Sequence, residues 1–208
     1  MQALFASFPS ELLRALRLTL VIAAVTGLLY PLAITGIAQG VFNHQANGSL
    51  VTNQKGQVIG SELIGQEFTS PRYFNGRVSA TTNPSNPNQA QPYNAENSGG
   101  SNLAPSNQAL QQRVAQDVQK IRKQDGLAPN APVPVDLVTA DFSGLDPDIS
   151  QQSALIQVER VAQTRQLDSG KVRALVEAHV HGRVLGIFGE PYVNVLEVNQ
   201  ALDGGAAR

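Results

Sequence analysis

The sequence predicts one N-terminal transmembrane helix followed by a single α+β domain with a small sheet and about four helices. Three observations carry that reading. Leu18 to Ala38 is a run of 21 residues without Asp, Glu, Lys or Arg, whose one ionisable group is the Tyr30 phenol. After it, short strand-like runs come early and capped helix-period runs come late, the order of an α+β domain rather than of alternating βαβ units. Of the 208 residues, roughly 160 remain beyond the span, an ordinary size for one hydrophobic core.

At about 1.5 Å rise per residue, residues 18–38 cover the ~30 Å hydrocarbon core of a bilayer. Arg14 and Arg17 precede the run, and no further Lys or Arg follows before Lys55. The positive-inside rule therefore places residues 1–17 in the cytoplasm and the domain of residues 45–203 outside, ending in a tail of residues 204–208. A cleaved signal peptide is the alternative, since Gly36 and Ala38 are small residues at plausible cleavage positions. The apolar stretch is longer than the usual signal core of about 7–15 residues. Tyr30-Pro31 is expected to kink the helix or loosen its ladder. Ala23/Gly27 and Gly36/Gly40 are small residues four apart, a spacing that admits a neighbouring helix, and these four are the expected partner contacts. The competing explanation is that small residues are common in spans.

The net charge is −1, which argues against a nucleic-acid partner or a strongly charged ligand. There are no cysteines. An extracytoplasmic domain held by packing alone suits a bacterial envelope protein better than a small secreted scaffold.

In order, Asn47-Gly48 reads as a turn, Leu50–Thr52 as a strand, Gln54 to Gln57 as a turn and Val58–Ser61 as a second strand. Arg77 to Arg113 encloses a polar segment whose single charge is Glu96. It is too polar for a core of its own, and a loop of that length must be held by the domain or by a partner. Ser106 or Asn107 caps a helix with Leu110, Val114, Val118 and Ile121 on one face, ending at Gly126. Residues 132–140 read as a strand, and their prolines make it an edge or a strand start. Ser150 caps a second helix with Leu155, Val158, Val161 and Ala162 on one face. Asp168 or Ser169 caps a third, through Val172, Leu175, Val176 and His179, stopping at Gly182. A last helix starts near Asn194 and buries some of Val195, Val198 and Leu202.

Candidate chemistry is sparse. The loop Ser98-Gly99-Gly100-Ser101-Asn102 has the glycines of an anion-binding nest but no P-loop Lys, and a structural turn is favoured. Asp141, Asp146 and Asp148 lie close enough in sequence for a Ca²⁺ or Mg²⁺ site, against which stands capping of the helix that follows. His179 and His181 point about 200° apart on a helix and cannot share a metal there, and His44 lies near the membrane. No metal site and no catalytic residue is therefore expected. Gln157 and Arg160, three apart, share a polar flank beside the apolar face of the second helix. As an ordinary amphipathic flank this leaves Gln157 exposed and cheap to replace, within about 0.5 kcal/mol.

Taken together, a set of segments resembles a known family. They are TGLLYPLAITGIAQ (26–39), NGSL (47–50), GSELIGQEF (60–68), YFNGRVSA (73–80), and YN followed by SGGSNL (93–103). They continue in order with PSN (105–107), PVDLVTA (134–140), SGLDPDIS (143–150), QVERVAQTR (157–165) and GEPYVNVLEVNQALD (189–203). Over about residues 15–203 the chain resembles the C subunit of the Kdp-type potassium-transporting ATPase of bacteria and archaea. It departs from the family pattern at Asp148, where a His is usual, at Ala104 for a Gly, at Glu159 for a Pro, and at Asp141-Phe142, which is bulkier than usual.

The resemblance implies a non-catalytic, single-pass subunit of the inner membrane with its domain outside. The implied partners are a channel-like potassium-binding subunit, a P-type ATPase subunit and a small accessory peptide. One role implied is assembly and stabilisation. Another is a catalytic chaperone that raises the ATP affinity of the ATPase subunit, with Gln157 contacting the nucleotide, so that ATP is a ligand only through the complex. The two conflict, because the charge asymmetry places Gln157 across the membrane from cytoplasmic ATP. Two further classes stay open. An anchored extracytoplasmic enzyme would join the SGGSN loop to the Asp cluster or to His179 and His181. A cation-gating module would use Glu62, Glu67, Glu96 and the Asp cluster to concentrate cations at a channel mouth.

Overall fold

The structure, a computed structural model, describes residues 2–53 and 55–204, with side chains from residue 9 onward. Gln54 of the expected 54–57 turn and most of the 204–208 tail lie outside the described residues. The chain forms two compact units, residues 1–49 and residues 50–208.

The first unit is helical. Helix α1 (Gln2–Ala24) runs into a π-helical turn (Val25–Leu29), then α2 (Tyr30–Val41) and the single turn α3 (Asn43–Ala46). Pro9–Val41 is one helical stretch of 33 residues, long and apolar enough to cross a membrane. The loosened ladder expected at Tyr30-Pro31 takes the form of this π turn. Pro31 has no N–H to give the Gly27 carbonyl, and the Tyr30 N–H reaches back five residues to the Val25 oxygen. Thr26 bonds its hydroxyl to the Ile22 carbonyl at 2.7 Å in the same turn. At the end of α2 three amides interlock: Gln39 accepts from Asn43 at 3.0 Å and from Asn47 at 3.1 Å.

The second unit opens with the antiparallel pair β1 (Leu50–Thr52) and β2 (Val58–Ser61). Its turn is tied by the Asn53 carboxamide, which accepts from the N–H groups of Lys55 and Gln57 at 2.9 and 3.0 Å. The long polar segment is held by the domain itself. It forms the pair β3 (Thr82–Asn83) and β4 (Asn86–Ala90), then a 3₁₀ turn at Ala95–Asn97. The buried Thr81 hydroxyl fixes it, donating to the Gln91 carbonyl at 2.6 Å and accepting from the Asn94 N–H at 3.0 Å. Helix α4 (Gln108–Gln124) is capped by Asn107 and followed by Gly126 at φ +64°, where the left-handed backbone stops it.

Residues 132–140 are not a strand. They form a 3₁₀ turn at Val135–Leu137 and meet another chain segment through one parallel bridge, Ala140 to Val78. Pro132 and Pro134 supply no ladder donors. Instead the Asp136 carboxylate pins the segment to the start of the next helix, accepting from Ser150 N at 2.7 Å and Ser153 Oγ at 2.7 Å. Strand β5 (Asp148–Ser150) leads into α5 (Gln151–Ile156), capped by Ser150 as expected. The second helix then breaks at Gln157, which ends α5 and precedes α6 (Val158–Arg165) without a side-chain cap. Helix α7 (Ser169–Ala178), capped by Asp168, ends before His179 rather than at Gly182, because Val180 and His181 pair as strand β6 (Val180–His181) with β7 (Tyr192–Asn194). Helix α8 (Val195–Leu202) starts at the Asn194 cap.

The last three strands form an antiparallel sheet in the order β5-β7-β6. Phe74, Ile149, Val158, Val161, Val172, Val176, Val193 and Val198 fill the core between that sheet and helices α5 to α8. The fold is α+β with a long apolar N-terminal helix, its strands divided among three small sheets rather than one.

Asn194 joins sheet to helix. Its oxygen accepts from Leu196 N and Glu197 N at 3.1 and 3.2 Å, and its NH₂ donates to Glu62 O and Asp148 Oδ1 at 2.9 and 3.0 Å. Asn194→Ala removes the cap and both cross-links. It should lower the unfolding free energy of the full chain in detergent by about 2–3 kcal/mol, read from urea titration by circular dichroism. A loss under about 0.5 kcal/mol contradicts the assignment.

Candidate functional site

The residue singled out by resemblance, Gln157, is 1 % exposed. The exposed polar flank expected for it is overturned: Gln157 keeps a helical backbone and lies on the same buried face as Ser153, Ala154, Val158 and Val161. Its oxygen accepts from the Asn75 N–H at 2.8 Å and from Arg160 Nη2 at 2.6 Å. Its NH₂ donates to the Asn75 carbonyl at 3.1 Å and the Ser153 carbonyl at 3.1 Å. A carboxamide has two lone pairs and two N–H donors, and all four are in use.

The neighbouring residue is held in the same manner from α8. Asn199 accepts from the Phe74 N–H at 2.8 Å and donates to the Phe74 carbonyl at 2.9 Å. Two buried carboxamides thus bond both backbone groups of two successive residues, doing for the Phe74-Asn75 segment what a pairing strand does in a sheet. Asn75 passes the order on, donating to the Phe68 carbonyl and accepting from Gln124 at 2.7 Å.

Arg160, 6 % exposed, completes the cluster. Its Nε donates to Asp125 at 2.6 Å, its Nη1 to the carbonyls of Pro71 and Tyr73 at 2.7 and 2.8 Å, and its Nη2 to Asn75 Oδ1 at 3.2 Å besides Gln157. Burial raises the Asp125 carboxyl, and the bond and charge of Arg160 offset that only in part. Arg165, one turn further on, donates to Arg72 O at 2.7 Å and pairs with Asp203 at 2.8 Å while its guanidinium lies 4.8 Å from the centre of the Tyr73 ring.

A cleft of about 370 Å³ lies between α4 and residues 66–79, with Glu67, Asn75, Arg77, Tyr93, Lys120 and Gln157 in its wall. Arg77 pairs with Asp146 at 2.9 Å. Burial raises the Tyr93 hydroxyl well above its ordinary value, with Asp141 and Asp146 adding to the effect, so it stays a donor, here to the Arg77 carbonyl at 2.7 Å.

The remaining candidates are taken up by the fold one at a time. In the SGGSN loop the Gly99 N–H donates to the Ser143 carbonyl at 2.8 Å, which makes the loop a turn packed on residues 141–144. Gly144 has φ +67°, and a Cβ there would lie 2.6 Å from Thr81 and 2.8 Å from the Gly99 carbonyl. Asp141 is tied to Ser143 and Gly144, Asp146 to Arg77, and Asp148 to Asn194. Burial works against the Asp141 carboxylate, but the Ser143 hydroxyl and backbone bonds outweigh it and hold its pKa below the ordinary value. His179 bonds its own helix at Leu175 O, while His181 meets Glu197 at 2.8 Å and stacks on Tyr192. Among the described residues no three His, Asp or Glu side chains are grouped to hold a metal. Along the apolar helix, a Cβ at Gly27, Gly36 or Gly40 meets nothing within 4 Å, and Ala23 is exposed.

Asn199, Asn75 and Arg165 were not singled out from sequence. Asn199 had a signal: with Val195, Val198 and Leu202 it occupies the i, i+3, i+4, i+7 stripe of an apolar face, where a polar residue needs a buried partner.

Asp148 stands apart because burial, then the charge of Asp146, push its carboxyl up to about 6. A folded-state pKa above the unfolded value means that ionisation opposes folding. The penalty is absent below about pH 4 and complete above about pH 6. Asp148→Asn, which keeps an acceptor for Asn194, should raise the unfolding midpoint at pH 7.5 and leave it nearly unchanged at pH 4. An equal effect at both values rules this out.

Comparison with known proteins agrees with the motifs. The family model described as K+-transporting ATPase, c chain, matches residues 12–204. Similar curated proteins include the "Potassium-transporting ATPase KdpC subunit" of Bradyrhizobium diazoefficiens, 53% identical over 95% of this chain and 98% of the relative. The protein of that name from Methylobacterium nodulans is 54% identical over 92% of this chain and 98% of the relative. A match over nearly the whole length of both partners, carried by segments from the apolar helix to α8, leaves one assignment: the chain belongs to the K+-transporting ATPase c chain family.

Proposed function

We propose that this chain is a non-catalytic assembly subunit of an ATP-driven potassium uptake complex. The apolar helix anchors it in the inner membrane with its N-terminus in the cytoplasm, and the domain from Leu50 onward stands outside. There it stabilises a channel-like subunit and a P-type ATPase subunit against one another.

The observation that carries this reading over direct nucleotide contact is the state of Gln157. Its four hydrogen-bonding positions are all spent inside the domain. A nucleotide would have to displace bonds that hold residues 71–75. The positive-inside asymmetry of Arg14 and Arg17 adds that cytoplasmic ATP lies on the other side of the bilayer. The reading as a gate fits less well, since Asp141, Asp146 and Asp148 are each bound by a separate internal donor.

Gln157→Ala separates the two family roles. It leaves Asn75 N–H and one Arg160 donor without an acceptor, and should lower domain stability by about 3 kcal/mol. In potassium-stimulated hydrolysis the activity should fall with the amount of assembled complex, and the KM for ATP should stay at the parent value. A raised KM at normal subunit stoichiometry would establish the chaperone role instead. Orientation is read separately. A reporter active only in the periplasm, fused after Asp203, should be active, and activity of a cytoplasm-only reporter there overturns the topology.

A further inference from the structure

Between β6 and β7 the chain leaves the sheet and forms a tip in which residues 182–190 are all exposed. Within five positions it presents Val184, Leu185, Ile187 and Phe188, exposed by 66, 84, 71 and 63 %. Residues of the same types fill the core of the domain, so these four are apolar surface that folding has left in water.

The tip has a defined shape. Val184 and Phe188 exchange backbone hydrogen bonds at 2.9 and 3.0 Å, Gly186 N–H donates to Arg183 O at 3.0 Å, and Ile187 N–H to Val184 O at 3.2 Å. A segment that satisfies these N–H groups internally can enter an apolar environment at little cost. Leu185 has φ +54°. The left-handed region costs a side chain with a Cβ roughly 1 kcal/mol or more. At the most exposed of the four positions, neither the strain nor the leucine serves the stability of the domain.

The charge around the tip indicates what covers it. Arg183 and Glu190 pair at 2.6 Å across its base. Loops that enter a lipid interface carry surplus basic charge for anionic headgroups and favour Trp or Tyr. Here the flanking cation is neutralised, and residues 182–190 contain neither aromatic. An apolar centre containing Phe, ringed by a compensated charge pair, is the composition of a protein interface.

We propose that residues 184–188 dock into an uncharged apolar pocket on another subunit of the same potassium-transporting complex, with Leu185 and Phe188 as the anchors. This rests on the assembly reading above. The test uses the full chain expressed with its complex and extracted in mild detergent, with a photo-cross-linking residue at Ile187. The parent should co-migrate with the other subunits, and the probe should form an adduct with one of them, identified by mass spectrometry. Failure of the parent to co-migrate removes the assembly reading and this proposal together. Co-migration with adducts only to lipid, only to a second copy of this chain, or to nothing removes this proposal alone.

The double variant Leu185→Asn with Phe188→Ser adds a second reading. Asn tolerates the left-handed backbone, so the unfolding midpoint should hold or rise. Association should weaken about tenfold or more, as for anchors at an interface centre. Unchanged association by a folded variant overturns the proposal, and Leu185→Asn alone gives the same comparison should the double variant fail to fold.

Discussion

The buried Arg160 guanidinium is the group on which the domain of residues 50–208 depends. It makes five hydrogen bonds to atoms from three separate stretches of chain: Asp125 after α4, the carbonyls of Pro71 and Tyr73 with the Asn75 side chain in residues 71–75, and Gln157. A charge taken out of water is tolerated only when it is paired and its donors are filled. Here that condition is met only if residues 71–75, the end of α4 and the start of α6 occupy their places together. The requirement makes an irregular, hydrogen-bond-hungry segment a fixed part of the interior. Gln157 and Asn199 finish the task by bonding the backbone of Asn75 and Phe74. Phe74 then enters the core as if it stood on a strand.

The arrangement explains why the domain can be poor in sheet. Its strands are short and divided into sets of two, two and three. A chain with so little ladder must satisfy many buried backbone groups by other means, and it does so with side chains. Asp136 serves the start of α5, Asn194 the start of α8, Thr81 the 81–94 loop, and Arg165 the carbonyls of Arg72 and Leu202. The sequence is rich in Asn, Gln, Ser and Thr where a more conventional α+β domain carries Val and Ile in strands. Those residues are the structure rather than loop filler.

That is also the boundary of what could be read in advance. The apolar helix, the Ser150 cap, the helix starts at 106–107, at 168–169 and near Asn194, and the strands at 50–52 and 58–61 were legible, because each depends on a local pattern. The segment 132–140 was misread as a strand because Val and Leu clusters are visible in sequence and a carboxylate reaching Ser150 is not. The third helix was drawn too long because nothing local reveals that β7 pairs with Val180 and His181. Gln157 was placed on the wrong side of its helix for the same kind of reason. Its partners, Asn75 and Ser153, are 82 and 4 residues away, and only the nearer one lies within reach of a periodicity argument. The family motifs did mark these positions, but without saying what they do.

A subunit with its polar residues committed inward has little chemistry left to offer at its surface. Asp141, Asp146 and Asp148 are held one by one, and the four hydrogen-bonding positions of the Gln157 amide are in use. The second unit leaves the buried Arg77 Nε without a partner, and it exposes apolar side chains, four of them gathered at one tip where the Leu185 backbone is left-handed. Along the helix of the first unit, Gly27, Gly36 and Gly40 likewise leave space rather than filling it. Polar groups bonded inside the domain and apolar side chains left in water describe a surface whose most favourable contacts are with other apolar surfaces. They are what a component needs when its free energy of interaction is to be realised against neighbours, and this is the physical basis for reading the chain as a part that holds others together.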